Sequence, residues 1–287
     1  MKPQFDNIVM SSFYLWFDHT LLTKGEAFTN FTSAFYDANS RFQGYHTYGA
    51  PFKQIVSDGS IAGANILNGL TLNGTAIIRG QNGFVAINYE KGHLYFTNPI
   101  TNPSTSLTGS YAVKDFNVYV TNDLEEKVLF ETQYALRNKV DVTADSIADS
   151  TKTYPAIFLK NNGSRNEPFE FGGGDLTNVD IRAIVLADSQ FKLDAVASIF
   201  RDRAKTLIPL ISEIRMPFNS LGDFVNVAAP YNYTSLSQGT PSEDRIFLDK
   251  VFISKISGLS FAQKSNQNPE VFSMIIDFEL NQLRYPR

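Results

Sequence analysis

Cysteine is absent from all 287 residues, which excludes disulfides, thiolate metal sites and cysteine nucleophiles. Charge is sparse as well: Asp, Glu, Lys and Arg make up 19% of the chain, below the usual ~25%. Basic residues are no more numerous than acidic ones. With a net charge of −4 and a pI near 5.4, no general positive field draws the chain to nucleic acid. No apolar run approaches the ~20 residues of a membrane span. The opening Met1-Lys-Pro-Gln-Phe-Asp-Asn7 lacks a signal-peptide core, so the expected setting is a reducing cytoplasm, bacterial in character, with no membrane. Four Asn-x-Ser/Thr matches, beginning at Asn30, Asn73, Asn162 and Asn232, are read there as chance in an Asn/Thr-rich chain.

Histidine is scarce too. His19, His46 and His93 show none of the spacings of a zinc site, so no metal or cofactor is expected. No Gly-x-Ser-x-Gly elbow occurs; Gly59-Ser-Ile-Ala-Gly63 is out of register for one and reads as a turn before a strand. Glu125 and Glu126 are neighbours, and neighbouring side chains on a strand point apart, so they read as a solvated turn rather than a glycosidase pair. Gly172-Gly-Gly174 lacks the spacing and the following helix of a phosphate loop and reads as a hairpin, or as an arm folding against a neighbour.

What is abundant is aromatic: 24 Phe and 13 Tyr bring aromatics to 13%, a β-rich and interface-rich composition. The first ~40 residues are dense in rings. Ser11–Phe17 reads as a buried strand, and Phe13, Trp16 and Phe17 are candidate interface residues, with a sugar-stacking platform as the alternative. From Ile61 to Phe96 short apolar runs alternate with Asn68-Gly69, Asn73-Gly74 and Gly80-Gln-Asn-Gly83, a β-meander pattern. Tyr111–Val120 and Val128–Leu136 read as two further strands. The polar stretch Arg137–Thr153, with Asp141, Asp145 and Asp149, sets the expected boundary between a β-rich domain, 1–140, and an α+β domain, 141–287.

The second half is organised around Val179–Pro209. Val179-Asp-Ile-Arg-Ala-Ile-Val-Leu-Ala187 reads as a strand, and Asp188 or Ser189 as a helix cap. Leu193, Val196, Ala197, Phe200, Ala204, Leu207 and Ile208 then share one helical face up to Pro209. The expected main helix is therefore about 191–208. Arg201, Arg203 and Lys205 on its polar side read as a solvated face with local ion pairs, or as a positive strip facing a ring lumen. Asn161–Glu167 reads as turn-rich and Met216–Gln238 as irregular. Ile246–Ser257 and Val271–Leu280 close the chain as two β runs. The predicted class is α+β, β-rich.

Tyr154-Pro-Ala-Ile-Phe-Leu159, Phe169-Glu-Phe-Gly-Gly173 and Val179-Asp-Ile-Arg-Ala-Ile-Val-Leu-Ala-Asp-Ser189 resemble the tail completion or terminator proteins of tailed bacteriophages. The opening Ser12-Phe-Tyr-Leu-Trp-Phe-Asp18 is similar to virion structural proteins of contractile-tailed phages. The resemblance implies a non-enzymatic neck or tail-terminator subunit, a homo-oligomeric ring, often sixfold, at the head–tail junction. Its partners would be the tail tube or sheath and the head connector, with viral DNA passing through without specific binding, in a virion assembled in the host cytoplasm. It implies arms reaching neighbours, for which Asn161–Gly174 and Met216–Gln238 are long enough, with Phe169, Phe171, Gly172, Gly173 and Gly174 as candidate interface residues, and it transfers no catalytic residue. The chain is about twice the size of the small terminators and adds an N-terminal domain, which leaves terminator, neck and connector roles open. Two other classes stand beside it: a glycan-binding or fibre/collar attachment β-module, and a hydrolase with a dispersed site.

Overall fold

Twenty-one residues, Phe5–Gly25, form one helix, α1, where local composition predicts a strand over Ser11–Phe17. The reason is spacing. Val9, Phe13, Trp16, Phe17, Thr20 and Leu21 recur at three and four, and all are buried. At its start the Gln4 backbone N–H donates to Asn7 Oδ1 at 3.3 Å, and its end is closed by Glu26 in the left-handed region at φ 46°. The computed structural model describes residues 4–51, 54–131, 134–136, 152–170, 173–256 and 271–284.

The first half contains β1 (Phe28–Ala34), β2 (Tyr36–Phe42), β3 (Tyr45–Gly49), β4 (Leu70–Leu72), β5 (Thr75–Ile77), β6 (Phe84–Asn88), β7 (His93–Phe96), β8 (Leu107–Lys114), β9 (Asn117–Val120) and β10 (Tyr134–Leu136), with one helical turn, α2 (Pro103–Ser106), before β8. Two antiparallel four-stranded sheets result, ordered β1-β8-β4-β5 and β2-β3-β7-β6. Asn73 and Gly74 close the β4–β5 hairpin at φ 50° and 79°, the positive pair that a two-residue turn of this hand requires. Both sheets contribute to one core, with Tyr48, Phe84 and Leu94 from one and Leu70, Leu107 and Tyr111 from the other.

The second half contains β11 (Lys152–Tyr154), β12 (Ala156–Glu170), β13 (Gly174–Ala187), α3 (Gln190–Arg201), β14 (Thr206–Pro209), α4 (Tyr233–Gln238), β15 (Arg245–Ile256) and β16 (Phe272–Arg284). β11 pairs in parallel with β10. The main sheet has six strands in the order β14-β15-β16-β13-β12-β9, antiparallel except for the β12–β9 pair. Ile181, Ala183 and Val185 of β13 and Met274, Ile276 and Phe278 of β16 face α1 and α3. The opposite face is covered at one end, where Ile184 and Leu186 pack with Phe158, Tyr119, Val128 and Leu129.

Four expectations are revised. Asn161–Glu167 lies inside β12, which absorbs its glycine as a bulge between Asn161 and Gly163. The main helix stops at Arg201: Ser189 caps its start, accepting from the Lys192 N–H at 3.3 Å, but residues 202–205 turn back and Ile208 reaches the core from β14. Met216–Gln238 is anchored in the fold by the buried Asp223, Phe224 and Tyr233, and its longest continuous exposed run is residues 225–229. Phe13 and Phe17 are 0% exposed and Trp16 7%, so they belong to this chain's own core and present no surface for a neighbour or a sugar. Phe17 stacks on Phe200 at 4.0 Å and 9°, and Phe278 meets Phe13 and Phe200 edge-on.

The molecule is β-rich α+β with helices on one face of its largest sheet. A cut at residue 140 would sever that core. α1 supplies Val9, Phe13, Phe17 and Leu21 to it, and β9 supplies Val118, all from the first half.

Candidate functional site

Three groups of buried charge lie along the seam between α1, the two smaller sheets and the 216–238 segment. Asp58 is the hub of the first. Its Oδ1 accepts from the Ser60 N–H and hydroxyl at 2.9 and 2.7 Å and from the Tyr233 N–H at 3.1 Å, while Oδ2 meets His19 Nδ1 at 2.7 Å. Burial pushes the Asp58 carboxyl up, but the hydrogen bonds from His19, Ser60 and the Tyr233 backbone outweigh it and hold it below the ordinary carboxylate value. His19 also stacks on the Tyr233 ring at 4.5 Å. Burial raises the Tyr233 phenol, and the Asp58 charge raises it further.

The second group is Lys114 Nζ on Asp18 Oδ1 at 2.7 Å, with side chains only 4% and 3% exposed. The neighbouring Tyr14 phenol is driven up by burial and then by the Asp18 charge. The third is Arg79, which clasps both oxygens of Asp223 and donates to the Asn68 carbonyl and the Tyr89 hydroxyl.

A cavity of about 270 Å³ opens beside these pairs, lined in part by Tyr14, Ser57, Asn88, Tyr89, Lys114 and Phe218. His19 Nε2 lies 3.4 Å from the Thr23 hydroxyl, so hydroxyl, imidazole and carboxylate stand in the order a nucleophilic site requires. Neither His19 nor Thr23 lines that cavity, and Thr23 sits one turn along an exposed helical face. The order is explained by structure: His19 ties α1 to the 58–60 turn.

The other sequence candidates are dispersed. Arg201 is exposed beside Asp202, Arg203 is half-buried, and Lys205 is paired with Asp249. They occupy the end of α3 and the turn after it rather than one helical stripe. His46 lies in β3 and His93 in β7, and no group of three metal-ligating residues converges among the described residues. Glu125 is more than a solvated turn residue: it accepts from Arg182 Nη1 at 2.6 Å, while Arg182 also grips Asp277 at 2.6 and 2.9 Å. The Asp277 hydrogen bond is the main cause of the raised Arg182 pKa. With 57 and 95 residues between partners, no local pattern marks this clamp.

Two of the exposed surfaces among the described residues combine apolar side chains with an edge or a groove. β9 covers β12 only from Ala156 to Leu159, and Gly163–Phe169 along the free edge is exposed, with Phe169 itself 60% exposed. Gly173 is exposed and Gly174 opens β13; Phe171 and Gly172 lie outside the described residues. The second surface is a groove of about 370 Å³ lined by Ile214, Met216, Val225, Pro230, Tyr231 and Leu236, among others. Ile214 at its rim is 95% exposed and Val225 65%. Among the described residues no helix is long and apolar enough to cross a membrane. Comparison with models of known families gives no match, and no curated protein is significantly similar to the chain.

Proposed function

We propose that the chain is a non-enzymatic structural subunit of a tailed-phage virion, a ring-forming neck or tail-terminator protein that joins the tail to the head connector. The observation that carries this reading is the edge of β12 beyond Leu159, which no described strand pairs. A sheet edge is a template for another chain, and this one is restricted by a bulge, by Pro168 and by the charges of Arg165 and Glu167. Such restriction suits a specified neighbour better than indiscriminate pairing. The buried ion pairs support it too, because they lock the 216–238 segment and α1 onto the sheets and leave rigid surfaces for side-by-side contact.

The purified protein is expected to form closed rings at high concentration in negative-stain images and to bind tail tubes or the head connector. A monomer that binds neither would overturn the proposal.

One observation favours a second reading, a glycan-binding collar or fibre attachment module. The cavity beside Lys114 combines aromatic rings, Tyr14, Tyr89 and Phe218, with amide and hydroxyl groups, the mixture that sugar recognition uses. Silence of the full-length protein across an array of cell-surface glycans would remove it.

A further inference from the structure

The two open surfaces match each other in chemistry. The groove is largely apolar, yet Arg215 stands in its wall. That guanidinium donates to the Gly239 and Leu236 carbonyls at 2.9 Å each and to the Thr240 hydroxyl at 3.2 Å. All three acceptors are neutral, and no described carboxylate lies within ion-pair range of it. A fitting occupant is therefore an exposed apolar side chain flanked by negative charge.

The β12–β13 hairpin carries that combination. Phe169 is 60% exposed near its tip, between Glu167 and Glu170 in sequence. Among the described residues Glu167 is engaged by Arg165 alone, at 3.1 Å, and both side chains are more than half exposed. An ion pair so solvated is weak and can exchange partners readily. The groove also has room for the ring, since about 370 Å³ exceeds what a phenyl group fills.

We infer that Phe169 of one copy seats in the 214–236 groove of the next, with Glu167 brought to Arg215. The inference rests on the side-by-side assembly proposed above and names the contact that would build it. The interface is heterologous: each copy offers one knob and one groove, so contacts propagate, and they close into a ring where the rotation between copies brings the last groove to the first knob.

The test uses the full-length chain and two exposed positions. Phe169→Asp removes the knob and keeps the groove; Val225→Asp blocks the groove and keeps the knob. Each variant alone should need about tenfold to a hundredfold more protein to assemble, as the loss of one buried aromatic anchor implies. Mixed together, the two should form a one-to-one heterodimer and nothing larger in sedimentation velocity, because only one competent contact remains. Far-UV circular dichroism spectra matching the parent would show that both fold, and Phe169→Ala replaces Phe169→Asp should the aspartate disturb the hairpin. If the parent assembles and the variants assemble equally well, or the mixture stays monomeric, this contact is wrong while the assembly reading stands. A parent that stays monomeric at every concentration overturns both.

Discussion

Arg79 and Asp223 meet through both arms of the guanidinium, Nε to Oδ2 and Nη2 to Oδ1, each at 2.6 Å, across 144 residues of sequence. Asp223 also accepts from the backbone N–H groups of Ile87 at 3.0 Å and Phe224 at 2.7 Å. One carboxylate thus pins the 216–231 stretch to β6. Its side chain is 1% exposed, and that of Arg79 is 7% exposed.

Arg79→Ala strands this carboxylate without its cation, and breaking a buried pair from one side costs about 3–5 kcal/mol. Urea denaturation should show the loss, and limited proteolysis should cut between residues 216 and 231 faster than in the parent. The double variant with Asp223→Ala should lose less than the sum of the two single changes.

Asp58 predicts an acid-sensitive seam. Its folded pKa lies below the ordinary value, so the stability it adds is complete above pH ~4 and is lost as pH falls through the folded value. Asp58→Asn should cost about 1–3 kcal/mol at neutral pH through lost hydrogen bonds to a buried acceptor. The gap between parent and variant should narrow as the buffer is taken below pH ~4. A gap that stays constant down to pH 2 would show that the charge contributes nothing.

Phe200 touches three rings, those of Trp16, Phe17 and Phe278. Truncation to alanine should cost about 3–5 kcal/mol, the usual range for a buried aromatic. Calorimetry of the Phe200→Ala protein would register the change, and a loss below 1 kcal/mol would contradict the packing described.

A fragment of residues 141–287 lacks α1 and β9 and should not fold by itself. It is expected to bind a hydrophobic dye and to melt without cooperativity, the behaviour of a chain with secondary structure and no fixed core. A sharp, reversible melt would instead make residue 140 a true domain boundary.

Much of the strand content was legible from alternation and turn dipeptides, as the β4–β5 hairpin at Asn73-Gly74 shows. The start of α3 was legible because Ser189 is a local cap. Its end was not: Ile208 is buried whether the chain continues as helix or turns back as strand, so apolar period cannot separate the two cases. α1 was misread because Phe13-Tyr-Leu-Trp-Phe17 has strand-like composition, although the three-and-four spacing from Val9 to Leu21 was present. The buried pairs left no trace, since charge gives no sign of a partner 96 or 144 residues away. Phe169 enters as a candidate through the resemblance carried by Phe169-Glu-Phe-Gly-Gly173, and its exposure on β12 is a fact of the fold, whereas the groove is assembled by a stretch with no periodicity.

α1 leaves the ribosome long before β16, the strand it must meet before the large core can close. At ~5–20 residues per second, synthesis keeps the ring-rich face of α1 waiting on the order of ten seconds to a minute. Throughout that interval its phenylalanines and tryptophan are bait for chaperones and for other nascent copies. Expression yield should therefore depend on translation speed and holdase supply more than on the stability of the finished protein.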